Sequence, residues 1–156
     1  MTDPSIRRAT VADAERLAAV YRSAYLENRD LGFPAKAGSV TAEDVSSWIR
    51  NDRVYVAERD GELVGGVRVE RTATDRAKLS RFSVHGAHER EGVGTALLEH
   101  AEERAREEGC TTTWLTTPGE HPYLPDLYRR RGYEETGEYP LEDREYDEIV
   151  MEKELR

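Results

Sequence analysis

Apolar positions along this chain alternate between a spacing of two and a spacing near 3.6, and each switch marks a boundary between elements. Residues 5–9 read as a short strand. Thr10 with Asp13 three residues on resembles a capping box, and Leu17, Val20, Tyr21 and Ala24 then recur at helical spacing, so a helix is expected to about Glu27. Gly32, Pro34 and Gly38 make residues 28–39 a loop. Thr41 and Asp44 repeat the capping signature ahead of Val45, Trp48 and Ile49, which predicts a second helix to about Arg50.

Strand alternation follows. Val54 and Val56 mark residues 53–58, with Ala57 beside them, and Leu63, Val64, Val67 and Val69 mark residues 62–70. Asp60-Gly61 between the two runs is a pair favoured in two-residue hairpin loops. Gly65-Gly66 inside the second run predicts a bulge or a close approach by another group. Residues 71–76 read as a polar connection, and Leu79, Phe82 and Val84 mark a fourth strand over 78–84. A long helix is expected over 93–108, where Val93, Leu97, Ala101 and Ala105 stand four apart and Gly109 closes the end. Residues 110–116 read as a strand, and residues 121–131 as a helix that tolerates Pro122 and Pro125 only in its first turn. Two final antiparallel strands, 133–139 and 146–154, flank an acidic loop. The order β-α-α-β-β-β-α-β-α-β-β predicts an α+β fold: a central mixed, mostly antiparallel sheet of about seven strands flanked by about four helices.

Composition narrows the field. A chain of 156 residues, 37% hydrophobic and 35% charged, is read as a single globular domain spanning 1–156. Its one cysteine, Cys110, excludes an intrachain disulfide framework and a cysteine-based metal site. No apolar run reaches the ~18 residues of a membrane span, and residues 1–8 lack the apolar core of an export signal, so a cytoplasmic protein without membrane association is expected. The net charge is −9. Basic and acidic residues balance at 13 each over residues 1–80, and the second half holds 10 against 19. With no basic stripe to displace counterions, nucleic-acid binding is not expected.

The stretch richest in chemistry is Glu89-Arg90-Glu91-Gly92-Val93-Gly94-Thr95 at the start of the long helix. Two glycines at a helix N-terminus gather backbone N–H groups at one point with no side chain in the way, and the helix dipole adds partial positive charge. That arrangement binds phosphate. It is not a P-loop, since no Gly-Lys-Ser/Thr follows. It also lacks the third glycine of the dinucleotide fingerprint, where Leu97 stands. A bare Gly-x-Gly is most often only a helix start, so the surrounding residues decide.

Those residues closely resemble the acetyl-CoA-binding core of the GNAT N-acetyltransferase superfamily. The strand ends Arg81-Phe82-Ser83-Val84, a short loop His85-Gly86-Ala87-His88 follows, and Glu89 to Gly94 stand for Gln/Arg-x-x-Gly-x-Gly/Ala ahead of the helix. Leu127-Tyr128-Arg129-Arg130-Arg131-Gly132-Tyr133 looks like the family's Leu-Tyr-x-x-x-Gly-Phe signature, and the hairpin ending Asp60-Gly61-Glu62-Leu63-Val64-Gly65-Gly66 is typical of it. The first motif position departs from the pattern, with Glu89 there and Arg90 one place later.

The resemblance implies a single-domain GNAT-like fold and acetyl-CoA as cosubstrate, with no metal. It implies direct acetyl transfer to a primary amine of a small molecule or protein. Phe82, Ser83, Val84, Arg90, Glu91, Gly92, Val93, Gly94 and Thr95 would contact the cofactor. His121, where the family commonly has Asn, would either contact the pantetheine arm or cap the following helix. A backbone N–H near Val84 is the expected oxyanion donor. Tyr128 is the expected general acid, because a phenol of pKa about 10 can protonate a departing thiolate. Relatives often carry a carboxylate base on the fourth strand, where this chain has Ser80 and Arg81, so Glu70, His85 and His88 are the alternatives, with Glu70 first.

Tyr25, Phe33 and Trp48 are candidate walls for the acceptor. Arg81 would suit a carboxylate on that acceptor, whereas the acidic run from Glu134 to Glu148 would favour a cationic one. Two other functions stay open at this point: a non-catalytic acyl-CoA-binding sensor of the same fold, and an interaction domain with an unused glycine turn. A monomer and a homodimer are both compatible with the sequence.

Overall fold

The hydrophobic runs in the middle of the chain are denser than strict alternation, and they mark strands covered on both faces. The computed structural model describes residues 4–30, 40–84, 92–122, 124–139 and 147–155, with the side chains of Tyr25 and of residues 27–30 outside that description. Seven strands form one sheet: β1 (Ser5–Arg8), β2 (Arg53–Arg59), β3 (Glu62–Ala73), β4 (Arg76–Val84), β5 (Thr112–Pro118), β6 (Glu134–Tyr139) and β7 (Glu148–Glu154). Their spatial order is β1-β2-β3-β4-β5-β7-β6. Only β4 and β5 run parallel, which requires a crossover, and the long helix between them supplies it. The helices are α1 (Ala14–Asp30), α2 (Ala42–Asn51), α3 (Val93–Glu107) and α4 (Leu124–Arg130).

The two faces of β2 show how the layers form. Val54 and Val56 pack with Leu17, Tyr21, Val45 and Ile49 of α1 and α2. Tyr55 and Ala57 pack with Val93, Leu97, Leu98 and Ala101 of α3 on the other side. All four are buried, so this strand has no solvent face. Leu17, Leu97 and Leu98 are fully enclosed, each contributing about 1.5–3 kcal/mol of transfer free energy. At one edge of the sheet, β6 exposes every residue and carries Glu134, Glu135 and Glu138. Charge on an exposed edge opposes pairing with another chain.

Local signals in the sequence account for most boundaries. The Thr41 hydroxyl accepts from the Asp44 N–H at 3.1 Å, and the Asp44 carboxylate accepts from the Thr41 N–H at 3.0 Å, completing the expected box. Asp60 and Gly61 both have positive φ, as the tight hairpin requires. Several boundaries differ from the sequence reading. β3 runs to Ala73 and β4 begins at Arg76, so most of the expected polar connection is strand. The Trp114 indole N–H donates to Thr72 and Arg71 donates to the Glu108 carbonyl, which gives those polar side chains partners in place of water. α1 runs to Asp30 rather than Glu27, β5 lies two residues further on than expected, and α4 begins only at Leu124. Among the described residues, no helix is long and apolar enough to cross a membrane.

An ion network pins β1 to the start of α1. Asp13 is 3% exposed, and its carboxylate accepts from Arg7 Nη1 at 2.7 Å, Arg7 Nη2 at 2.8 Å and the Thr10 N–H at 2.8 Å. Arg7 also donates to Glu58 on β2. The Arg7 guanidinium holds the Asp13 carboxyl far below its ordinary range, against the opposing effect of burial. A depressed carboxyl binds its proton less readily folded than unfolded, so its stabilisation is present above the unfolded pKa of about 3.9 and is lost as pH falls through the folded value. Melting temperature should therefore drop as pH is lowered below about 4. Asp13→Asn should lose about 1–3 kcal/mol at neutral pH and show a shallower acid decline, measurable by thermal denaturation across pH.

Candidate active site

The ladder between β4 and β5 is short. It pairs Arg76 with Thr112, Ala77 with Thr113 and Lys78 with Trp114, and there it stops. β4 continues to Val84 and β5 to Pro118 with no pairing between them, which leaves an open split in the sheet. Its cause lies on β4. Gly66 pairs with Ser83 and Arg68 with Ser80, so Arg81 and Phe82 stand opposite the single residue Val67. This is a bulge, and a bulge bends its strand. Arg81 takes φ 51° there, a left-handed backbone that costs a non-glycine residue about 1–2 kcal/mol.

The glycines of β3 let the helices close on this bend. A Cβ on Gly66 would sit 2.6 Å from Leu17 Cδ1, and one on Gly65 would sit 2.9 Å from Leu97 Cδ1. The close approach expected at these positions is thus made on both faces at once, and β3 also carries a register shift beside them, opposite Ala57 and Glu58.

At the far end of β4, α3 begins at Gly92 with φ 83°. That conformation suits glycine, and open space surrounds the position where a Cβ would be. Among the described residues no side chain caps this helix, and its first turn holds no acidic residue, so no carboxylate of that turn answers its N–H groups and its dipole. Gly94 lets the helix press on β4, since a Cβ there would meet Phe82 Cζ at 2.9 Å. Val93 is buried in the same core. Arg90, Glu91, Glu89, His85 and His88 lie outside the described residues, as does Phe33 and the side chain of Tyr25.

Across the split, the ring centroid of Tyr128 on α4 lies 6.1 Å from that of Phe82 and 5.9 Å from that of Tyr133. Tyr128 is 5% exposed. A charged network behind it fixes the end of α4. Glu102 on α3 accepts from the Tyr133 hydroxyl at 2.9 Å, Lys153 Nζ at 2.8 Å and Arg131 Nη2 at 3.3 Å. Since Tyr133 gives its proton to this carboxylate, the Thr113 hydroxyl donates to Tyr133, at 2.9 Å. Burial and the Glu102 charge push the Tyr133 phenol well above its ordinary value. The imidazole of His121, 5% exposed, accepts from the Leu124 N–H through Nδ1 at 3.2 Å. Of the two roles expected for it, capping is the one this contact performs.

The face of the sheet toward α1 and α2 carries a second group of side chains. Arg68 donates to Asp52 Oδ2 from Nε at 2.9 Å and from Nη2 at 2.6 Å, and lies 3.3 Å from Glu70. Ser80 also donates to Glu70, at 3.3 Å. The guanidinium carbons of Arg81 and Arg68 lie 5.0 and 5.3 Å from the centre of the Trp48 ring. Glu70 therefore sits beside Lys78, at the closed end of the split, while Tyr128 stands near its open end.

Sequence reasoning did not single out Thr117. Its hydroxyl on β5 and that of Ser83 on β4 are both buried, at 2% and 3% exposure, and among the described residues neither has a hydrogen-bond partner. Both belong to the unpaired lengths of the two strands. Two hydroxyls and a helix N-terminus, all without side-chain partners among the described residues, fit an elongated ligand with amide groups along its length and phosphate at one end. The signal for Thr117 is tertiary, since only the end of the β4–β5 ladder makes its hydroxyl an orphan. Among the described residues no group of three or more His, Cys, Asp or Glu could hold a metal ion. Thr117→Val removes an unsatisfied hydroxyl at nearly constant volume, so the ligand-free protein should melt higher, by about 1 kcal/mol of stability; a lower melting point would mean that the hydroxyl has a partner.

Known proteins give an independent comparison. A profile of the Acetyltransferase (GNAT) family matches residues 17–133. An S-alkylcysteine N-acetyltransferase of Bacillus subtilis is 30% identical over 143 residues, covering 86% of this chain and 80% of that protein. An S-(2-succino)cysteine N-acetyltransferase of the same organism is 28% identical over 161 residues, covering 98% and 97%. A solved structure of a Salmonella typhimurium protein with its cofactor acetyl-CoA shares the fold at TM-score 0.83 and 21% identity, covering 99% of this chain and 95% of that one.

Proposed function

Because the chain belongs to the GNAT family of N-acetyltransferases, in which acetylation depends on acetyl-CoA, we propose that it moves the acetyl group directly from the thioester to a primary amine of a small molecule or protein. The observation that carries this reading is the split between β4 and β5, with the α3 N-terminus at its open end and the Phe82–Tyr128 pair beside it. The N–H groups of Val93, Gly94 and Thr95, with Gly92 leaving them accessible, hold the pyrophosphate of coenzyme A. Arg90 and Glu91 join this cofactor site by their places in the sequence motif. Phe82, Ser83 and Val84 line one side of the pantetheine channel, and Thr117 lines the other. His121 serves the same channel by fixing the first turn of α4.

Chemistry then follows from positions. The amine nitrogen attacks the thioester carbonyl carbon, and a backbone N–H near Val84 steadies the negative charge that develops on the carbonyl oxygen. The carbon–sulfur bond breaks. Tyr128 gives its phenolic proton to the departing sulfur, and the attacking nitrogen loses its own to Glu70, relayed by water. Glu70 lies on the face toward α1 and α2, where the acceptor enters beside Tyr25 and Arg81. The two Bacillus relatives act on cysteine derivatives, which supports a small-molecule acceptor ahead of a protein one.

Acetyl-CoA at ~100 times its dissociation constant should add about 2.7 kcal/mol to stability, read as a rise in melting temperature. Gly92→Ala should weaken that effect by straining the helix start, and absence of any shift in the native protein would overturn the proposal. Tyr128→Phe should cut turnover by about 10²–10⁴-fold while leaving acetyl-CoA affinity nearly unchanged, measured by thiol release and calorimetry. Equal turnover would remove Tyr128 from its role. A protein that binds acetyl-CoA but releases no thiol with any amine would instead be a sensor of the same fold.

A further inference from the structure

Arg81 occupies the strained position of the β4 bulge, where glycine or asparagine would sit without cost. Strain of this kind persists where the side chain it aims has a use. Here the side chain is aimed at Trp48 of α2, over whose ring its guanidinium lies at 5.0 Å. Trp48 is itself braced, edge-on against Tyr21 with ring centroids 5.9 Å apart and by Arg68 over the same ring. Arg68 is already matched by Asp52 and Glu70, so it stiffens the group without adding net charge. A third cation lies on this face of the sheet. The Lys78 ammonium is 5.1 Å from the Trp114 ring and 5.8 Å from that of Tyr139, and among the described residues no carboxylate pairs with it. In a protein of net charge −9, cations held by aromatic rings along the split, Arg81 at the bulge and Lys78 at the closed end, are out of keeping with the surface as a whole.

We propose that Arg81, positioned by Trp48, reads a carboxylate carried next to the acceptor's amine, so that the substrate class is a small amino acid with a free α-carboxylate. This rests on the acetyltransferase reading for the identity of the amine as the reacting group. Arg81 and Phe82 form the bulge that opens the sheet, so Arg81 is rooted at the split where the thioester is proposed to lie. An α-carboxylate is two bonds from the nitrogen, so a cation at that place reaches it when the amine points into the split. A planar guanidinium offers paired N–H donors to the two carboxylate oxygens, and stacking on an indole fixes its plane. Lys78, on the same face and three residues back along β4, favours the approach of an anion over that of a polyamine.

The test is calorimetric titration of S-methylcysteine and of S-methylcysteine amide into the protein, with and without saturating coenzyme A, which allows no turnover. The acid should bind about 10- to 100-fold tighter than the amide. In Arg81→Asn, whose side chain accepts the left-handed backbone, that ratio should collapse toward one while the melting temperature does not fall. Arg81→Lys should restore part of the ratio. Equal binding of acid and amide by the native protein overturns the proposal, and so does a ratio that survives in Arg81→Asn. Failure to bind either compound also overturns it. Failure of the acetyltransferase reading is seen separately, as absence of a coenzyme A heat or of thiol release, and leaves a measured acid-over-amide preference standing.

Discussion

Everything distinctive in this fold depends on three backbone pairs. The parallel ladder between β4 and β5 ends at Lys78–Trp114 because the bulge at Arg81 and Phe82 turns β4 away from its neighbour. A sheet that opens in its middle exposes backbone groups that ordinarily satisfy one another, and buried polar groups left alone are costly. Such a cost is tolerated where a ligand can take the place of the missing strand partner. The parallel relation also dictates the crossover helix, and the crossover puts the N-terminus of α3 at the open end of the split.

Packing keeps that opening in place from both sides. Gly65 and Gly66 bring α3 and α1 onto β3 at distances that exclude a methyl group, so the strand next to the bulge has no room to shift. Behind the split, Glu102 gathers Tyr133, Lys153 and Arg131 and so joins α3, the end of α4 and β7. Tyr128 is held between Phe82 and Tyr133 by those fixtures rather than by its own short helix, which is only Leu124–Arg130. Rigid surroundings of this kind are what a residue needs if it is to present a proton at one atom.

Much of this was legible in the sequence, for reasons that are local. Helix starts announced themselves through Thr41 and Asp44, the hairpin through Asp60-Gly61, and the start of α3 through Gly92 and Gly94. The seven-strand, four-helix α+β architecture followed from their order, and three motifs in sequence pointed to the family that the comparisons then showed. What was not legible depended on partners distant in the chain. The polarity of residues 71–76 hid strand ends, because Trp114 and Glu108 supply the hydrogen bonds that water would otherwise make. Thr117 is likewise invisible until β4 and β5 are laid side by side, and the bulge at Arg81 until β4 is laid against β3.

The central claim is that the split and the α3 N-terminus together receive acetyl-CoA. Amide hydrogen exchange, measured with and without acetyl-CoA, tests it at the residues concerned. The account predicts slower exchange over residues 82–84 of β4, 115–118 of β5 and 93–95 of α3, with little change along β1 and β2. Unaltered exchange in those three segments, with protection appearing elsewhere, would contradict it.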